Sequence, residues 1–219
     1  MKTLKFYVGL LLLTFIFSVY TTFANTLSEK EKAGLQLMRE EEKLAHDVYT
    51  VLYEKWQLRP FSNISQSETR HFEAVGVLLE TYNLEDPAFE KPGKFKNQEL
   101  AALYDSLVAI GSETLVAALE VGAFIEEVDI KDLQELLDAK PESQIATVYE
   151  NLLWGSKNHL RAFTRNLSMR DQEYTPKVLS AATYSEIVGA KQQPGCGGNG
   201  MKQRARRGCN NGGPNCRNR

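Results

Sequence analysis

Four long stretches of this chain repeat apolar residues at helical spacing, and each sets an acid or an imidazole at the centre of its apolar face. The first spans 28–56, with Leu37, Met38, Leu44, Ala45, Val48, Leu52 and Trp56 in phase; Ser28 and Glu31 make a capping box and Pro60 marks its end. The second spans 64–82, carries Ile64, Phe72, Val75, Leu78, Leu79 and Tyr82 on one side, and takes Ser65 as its N-cap. The third spans 113–138 with Ser112 as cap, and the fourth spans 142–167 through Ile145, Val148, Leu152, Phe163 and Leu167. Between the second and third lie a Pro- and Gly-containing connection at 83–97 and a shorter helix at 98–110; a last short helix is expected at 178–188. No segment alternates as a strand would. The expected fold is all-α: a four-helix bundle with a long connection between helices two and three, plus short extra helices. A link of that length lets helices two and three lie parallel.

On a wheel of about 100° per residue, Glu41 falls about 30° from the centre of the first face, Glu42 about 70° to the other side, and Glu40 outward. On the second helix Glu68 and His71 both fall within about 40° of the centre, three residues apart and therefore neighbours. On the third, Glu126 and Asp129 straddle the centre and Glu127 points away. On the fourth, His159 is central and Ser156 lies one turn before it. An unpaired buried carboxylate costs several kcal/mol, and a domain is stable by only about 5–15 kcal/mol. Several such groups need a neutralising partner, and no Lys or Arg falls at the centre of these faces. A bound cation answers the need: carboxylate with imidazole suits iron, manganese or zinc.

Each residue alone has a plainer explanation. Glu68 stands three after Ser65 and fits a capping box there; Glu40-Glu41-Glu42 is a charge run of the kind that coats a solvated face; a single histidine such as His71 is usually a satisfied core residue. Convergence from four helices favours the metal. His46, about 100° off the face, is expected at the surface, and Tyr49 and Tyr149 are expected to pack in the core.

The charge is unevenly distributed. Of 26 Lys and Arg, seven fall in 191–219 and two before residue 25, so 17 face all 28 acidic groups and the body carries a charge near −11. An acidic body attracts cations and disfavours nucleic acid. The opening residues read as a signal peptide over 1–24: Lys2 and Lys5, an apolar run from Phe6 to Tyr20, and a small residue at Ala24. A periplasmic or secreted location follows, with an uncleaved anchor as the alternative; no later segment reads as a membrane span. Residues 28–190 form the helical domain. Residues 191–219 are basic, rich in Gly and Asn, and contain all three cysteines, Cys196, Cys209 and Cys216; a tail of this composition is expected to be disordered.

Four strings carry a resemblance: Met38-Arg39-Glu40-Glu41-Glu42-Lys43-Leu44-Ala45, Ser67-Glu68, Gly122-Ala123-Phe124-Ile125-Glu126-Glu127-Val128-Asp129-Ile130, and Gly155-Ser156-Lys157-Asn158-His159-Leu160-Arg161-Ala162-Phe163. Over roughly 28–188 the chain resembles the ferritin-like family catalogued as domain of unknown function 2202. The resemblance implies a ferritin-like bundle in which a Glu from each of two helices and a Glu-x-x-His from each of the other two hold metal. It assigns Glu41, Glu68, His71, Glu126 and His159 as ligands. Ser156 stands where the pattern has Glu, and Asp129, one turn from Glu126, is placed to supply the missing carboxylate. The expected function is handling of iron, with manganese or zinc as alternatives, extending to a ferroxidase-type oxidation of Fe(II). Competing expectations are a non-catalytic interaction module with at most a structural metal, and an oxidase or peroxidase acting on an organic substrate. Metal ions are the expected partners, with a homodimer as an option.

Overall fold

The computed structural model describes residues 27–190; the expected leader (1–24) and the basic tail with its three cysteines (191–219) lie outside the described residues. Six helices and no strand occur among the described residues: α1 (Glu29–Trp56), α2 (Arg59–Thr81), α3 (Gln98–Gly111), α4 (Leu115–Asp138), α5 (Ser143–Ser168) and α6 (Ala181–Gly189). The all-helical expectation holds, and so does the long connection, which carries α3 between α2 and α4. None of these helices is long and apolar enough to cross a membrane.

The Ser28–Glu31 capping box forms as expected. α1 ends where the sequence indicates, but the starts of α2 and α4 differ from the sequence expectation. α1 ends at Trp56, where Gln57 turns into the left-handed region at φ 52°. Pro60 then sits in the first turn of α2, because its fixed φ and missing N–H suit a position whose N–H would be unpaired anyway. Ser65 is therefore inside α2, where its hydroxyl donates back to the Ser62 carbonyl, and Glu68 belongs to no capping box. At the other junction Ser112 closes α3, and Thr114 caps α4 by accepting from the Ala117 N–H.

α1 packs on α2 and α4 on α5; α1 meets α4 and α2 meets α5 to close the ring, α3 lies over the α1 and α4 pair, and α6 packs on α5. The Tyr49 hydroxyl lies 3.3 Å from the Gly122 carbonyl while Gly34 abuts Leu136, so α1 and α4 run antiparallel. α2 runs back along α1 and is thus parallel to α4, as the long link allows.

The buried apolar residues fall into two clusters. One holds Leu44, Val48, Phe61, Ile64, Leu160 and Phe163; the other holds Leu35, Met38, Val75, Leu78, Tyr149 and Leu152. The gaps between them occur at residues 39–43 on α1, 65–74 on α2 and 153–159 on α5, at one level of the bundle. That level is where the polar residues converge.

Two acids expected to face outward are buried and tie loops to the bundle. Glu40 accepts the backbone N–H groups of Lys96 and Asn97 at the head of α3. Glu127 accepts from the Tyr174 hydroxyl and from the N–H groups of Lys177 and Leu179, fastening the segment that leads to α6. Both point away from the bundle axis as the wheel indicates, but a loop, not water, meets them there.

Candidate metal centre

α1, α2, α4 and α5 each contribute at least one acid or imidazole to the gap between the two apolar clusters. They form two groups: Glu42, Glu68 and His71, and Glu68, Glu126 and His159, each offering three ligand atoms within 4.8 Å of one another. Glu68 belongs to both. Its Oε2 lies 2.8 Å from His71 Nδ1 and its Oε1 lies 2.8 Å from His159 Nδ1. Glu42 Oε2 stands 3.3 Å from His71 Nδ1, and Glu126 Oε2 stands 3.4 Å from His159 Nδ1. The two imidazoles stack with centroids 5.6 Å apart. The arrangement is nearly symmetric: one carboxylate in the middle, one imidazole on each of its oxygens, one further carboxylate outside each imidazole.

Of the six residues singled out in the sequence, the structure gathers Glu68, His71, Glu126 and His159 into these groups. Glu41 and Asp129 are buried nearby but belong to neither. Glu42 takes the place on α1 that the wheel assigned to Glu41. Residues 38–45 are buried without a break, so α1 has neighbours on every side at this level and its mean apolar direction does not separate the two acids. His46 is partly exposed, 3.0 Å from Asp47, and belongs to neither group. Ser156 turns its hydroxyl onto the Leu152 carbonyl, so α5 contributes His159 alone.

Tyr49 is one of the two tyrosines expected to pack in the core. It is fully buried, and its hydroxyl donates to Glu126 Oε1 at 2.7 Å, which holds that carboxylate with its other oxygen toward His159. Gly155 gives His71 its room: a Cβ there would come within 2.5 Å of the imidazole Cε1.

The protein leaves these groups unsatisfied. Glu42 Oε2, Glu68 Oε1, Glu126 Oε2, His71 Nδ1 and His159 Nδ1 are buried without a well-formed hydrogen bond, as are Glu41 Oε2 and Asp129 Oδ2. Native interiors rarely tolerate such a concentration. Burial pushes the Glu42 carboxyl up to about 8 although His71 opposes it. Burial raises Asp129 well above the carboxylate range, reinforced by Glu42. Burial also raises Glu126, against the pull of His159. Desolvation opposes the charge on His71, yet Glu42 and Glu68 lift it to about 10; His159 is lifted likewise by Glu68 and Glu126. Burial works against the Glu68 charge too, but His159 and then His71 outweigh it and hold this carboxyl below its ordinary range. Each imidazole Nδ1 faces two carboxylate oxygens, one 2.8 Å away and the other 3.3 or 3.4 Å away, across space that a cation would occupy.

The donors suit a cation of intermediate hardness. They are oxygen and imidazole nitrogen, with no cysteine among the described residues, which fits iron, manganese or zinc. Glu68, with an oxygen toward each histidine, can bridge two ions.

The uncharacterized protein MJ0754 of Methanocaldococcus jannaschii is 47% identical to this chain over 170 residues, which is 77% of this chain and 92% of that protein. The crystal structure of hypothetical protein MJ0754 from Methanococcus jannaschii matches the fold with a TM-score of 0.75, covering 76% of this chain and 96% of that one at 47% identity. A family described as an uncharacterized protein domain, DUF2202, matches residues 31–191. Most of the described bundle lies inside that match, and the chain belongs to the DUF2202 family.

Proposed function

We propose that this protein is an exported iron-handling protein whose bundle holds two metal ions, one on Glu42, Glu68 and His71 and one on Glu68, Glu126 and His159. The observation that carries this is Glu68: a buried carboxylate with each oxygen 2.8 Å from a different imidazole, flanked by Glu42 and Glu126, each with a buried oxygen that has no hydrogen-bond partner. Five carboxyls, those of Glu41, Glu42, Glu68, Glu126 and Asp129, are buried beside two imidazoles. Two divalent ions would neutralise the acids that protons must otherwise neutralise. The oxygen-rich set favours the higher charge of Fe(III), so bound iron would supply one-electron chemistry toward oxygen or peroxide. The chain's own groups hold and orient: Tyr49 positions Glu126, Gly155 admits His71, and the two apolar clusters keep water from the level between them. Export rests on Lys2, Lys5 and the apolar run that follows.

Anaerobic titration of the purified protein with Fe(II) tests the reading. Wild type is expected to take two ions per chain, His71→Ala and His159→Ala one each, and Glu68→Gln neither with high affinity. Loss of a ligand should weaken its ion by at least the roughly 10–100-fold that loss of an outer partner costs. Wild type that takes up no iron, manganese or zinc above background refutes it.

Ser156 supports a second reading. With its hydroxyl spent on Leu152, α5 offers one ligand where a ferroxidase-type pattern has two, which suits a structural metal in a non-catalytic module. Oxygen or peroxide consumption on Fe(II) loading separates the two: a structural site fills without consuming either.

A further inference from the structure

By distance the two triads are almost indistinguishable. Each imidazole Nδ1 is 2.8 Å from Glu68, and the outer carboxylates stand 3.3 and 3.4 Å away. Exposure does not rank them either, since the side chains of His71 and His159 are 14% and 11% exposed. One hydroxyl breaks the symmetry. Tyr49 donates to Glu126 Oε1 at 2.7 Å, and its ring is set between Phe61 and Phe163, with centroids 6.3 and 5.3 Å away. Glu126 is therefore fixed before any ion arrives, with Oε2 left toward His159 and without a hydrogen bond. No comparable donor meets Glu42 among the described residues: its Oε2 is buried without a hydrogen bond, and the group it faces is His71, itself a ligand. The triads also compete. Both draw on Glu68, so whichever ion binds first takes charge that the second needs and repels it across the shared carboxylate.

We propose that the centre fills in a fixed order set by Tyr49: Glu68, Glu126 and His159 take the first divalent ion and keep it, while Glu42, Glu68 and His71 take the second and give it up. This rests on the dinuclear reading above. Sharing Glu68 makes the two binding steps unequal, and Tyr49 decides which triad comes first. It is a positioning residue, acting on the ion only through Glu126. Hydrogen bonds that orient a ligand in this way are worth about 10–100-fold in metal affinity. Glu42 must lose its rotamer freedom when the ion binds, a cost that Glu126 has already met in the fold. The His159 ion is then a resident part of the protein, and the His71 ion is the cargo.

Calorimetric titration of the full-length metal-free protein with Co(II) reads the order. Wild type and His71→Ala should share a tight first phase. His159→Ala should lack it and bind its single ion at least roughly tenfold more weakly. Tyr49→Phe keeps the ring and removes only the hydroxyl; it should still take two ions, with the first phase weakened about 10–100-fold. The double variant Tyr49→Phe/His159→Ala separates positioning from a general loosening of the core. It should bind its remaining ion as His159→Ala does, whereas a merely structural Tyr49 would weaken that ion as well. Diluted into chelator, doubly loaded wild type should release one ion at least roughly tenfold sooner than the other. A tight phase lost in His71→Ala instead of His159→Ala, two equal phases in wild type, or a first phase that Tyr49→Phe leaves unmoved overturns the order and leaves the dinuclear reading standing. Joint release of both ions into chelator overturns it too. Wild type that binds no Co(II) removes both proposals together. If Tyr49→Phe fails to fold, the two histidine variants still decide which triad fills first.

Discussion

Gly155→Ala should disable one half of the centre and spare the other. The new Cβ would lie 2.5 Å from His71 Cε1 and 2.7 Å from His71 Nε2, but 3.8 Å from His159 Cε1, which is ordinary contact. To reach a normal carbon separation of about 3.5 Å, the His71 ring must withdraw by about 1 Å. Its Nδ1 is 2.8 Å from Glu68 Oε2 and 3.3 Å from Glu42 Oε2, so a shift of that size opens the first triad while Glu68, Glu126 and His159 keep their places. Overpacking costs about 1–3 kcal/mol, and replacing a mid-helix glycine by alanine returns about 1 kcal/mol. The metal-free variant should therefore be destabilised by about 0–2 kcal/mol, small enough for it to fold. Its second metal should bind about 10–100-fold more weakly, as when a ligand's supporting shell is disturbed. Calorimetric titration beside urea unfolding measures both quantities. Two equivalents bound at wild-type affinity would refute the claim that His71 and Gly155 share this space for the sake of a ligand.

Metal affinity should rise with pH through the neutral range, because the Glu42–His71 pair keeps proton that the metal must displace, with Glu42 near 8 and His71 near 10; a pH-independent affinity between 6 and 9 would contradict the assignment. The same pair should make the metal-free fold less stable in alkali. Both folded values lie above the ordinary values of 4.5 and 6.5, so the folded state holds more protons, and their stabilisation is lost as pH climbs from 4.5 to about 8 for Glu42 and from 6.5 to about 10 for His71. Glu68, held low, acts oppositely and its contribution is lost as the solution turns acid. Thermal melts of metal-free protein should therefore fall between pH 7 and 9 and flatten when metal is added. Glu127→Gln should cost about 1.5–3 kcal/mol, since an amide replaces a charged acceptor of three hydrogen bonds. Hydrogen exchange should quicken over residues 174–187 with metal stoichiometry unchanged; unaltered protection there would show that Glu127 does not fasten this segment.

The helical periods, the Ser28 cap, the bundle with its long crossover, and the inward direction of Glu68, His71, Glu126 and His159 were all legible in the sequence, because each depends on local spacing around one helix axis. The α1–α2 junction was misjudged for the same reason in reverse: Pro60 is compatible with ending one helix or opening the next, and only the packing of Phe61 and Ile64 into the core favours opening α2 there. The tertiary structure decided which acid of α1 faces the histidines. A wheel assigns one apolar direction to a helix, but at residues 38–45 α1 is enclosed all round, with α2 taking Glu42, the head of α3 taking Glu40, and α4 taking Glu41. The roles of Tyr49, Gly155 and Glu127 have the same origin. Each acts on a residue at least 47 positions away, and periodicity along one segment holds no information about what a different segment brings to meet it.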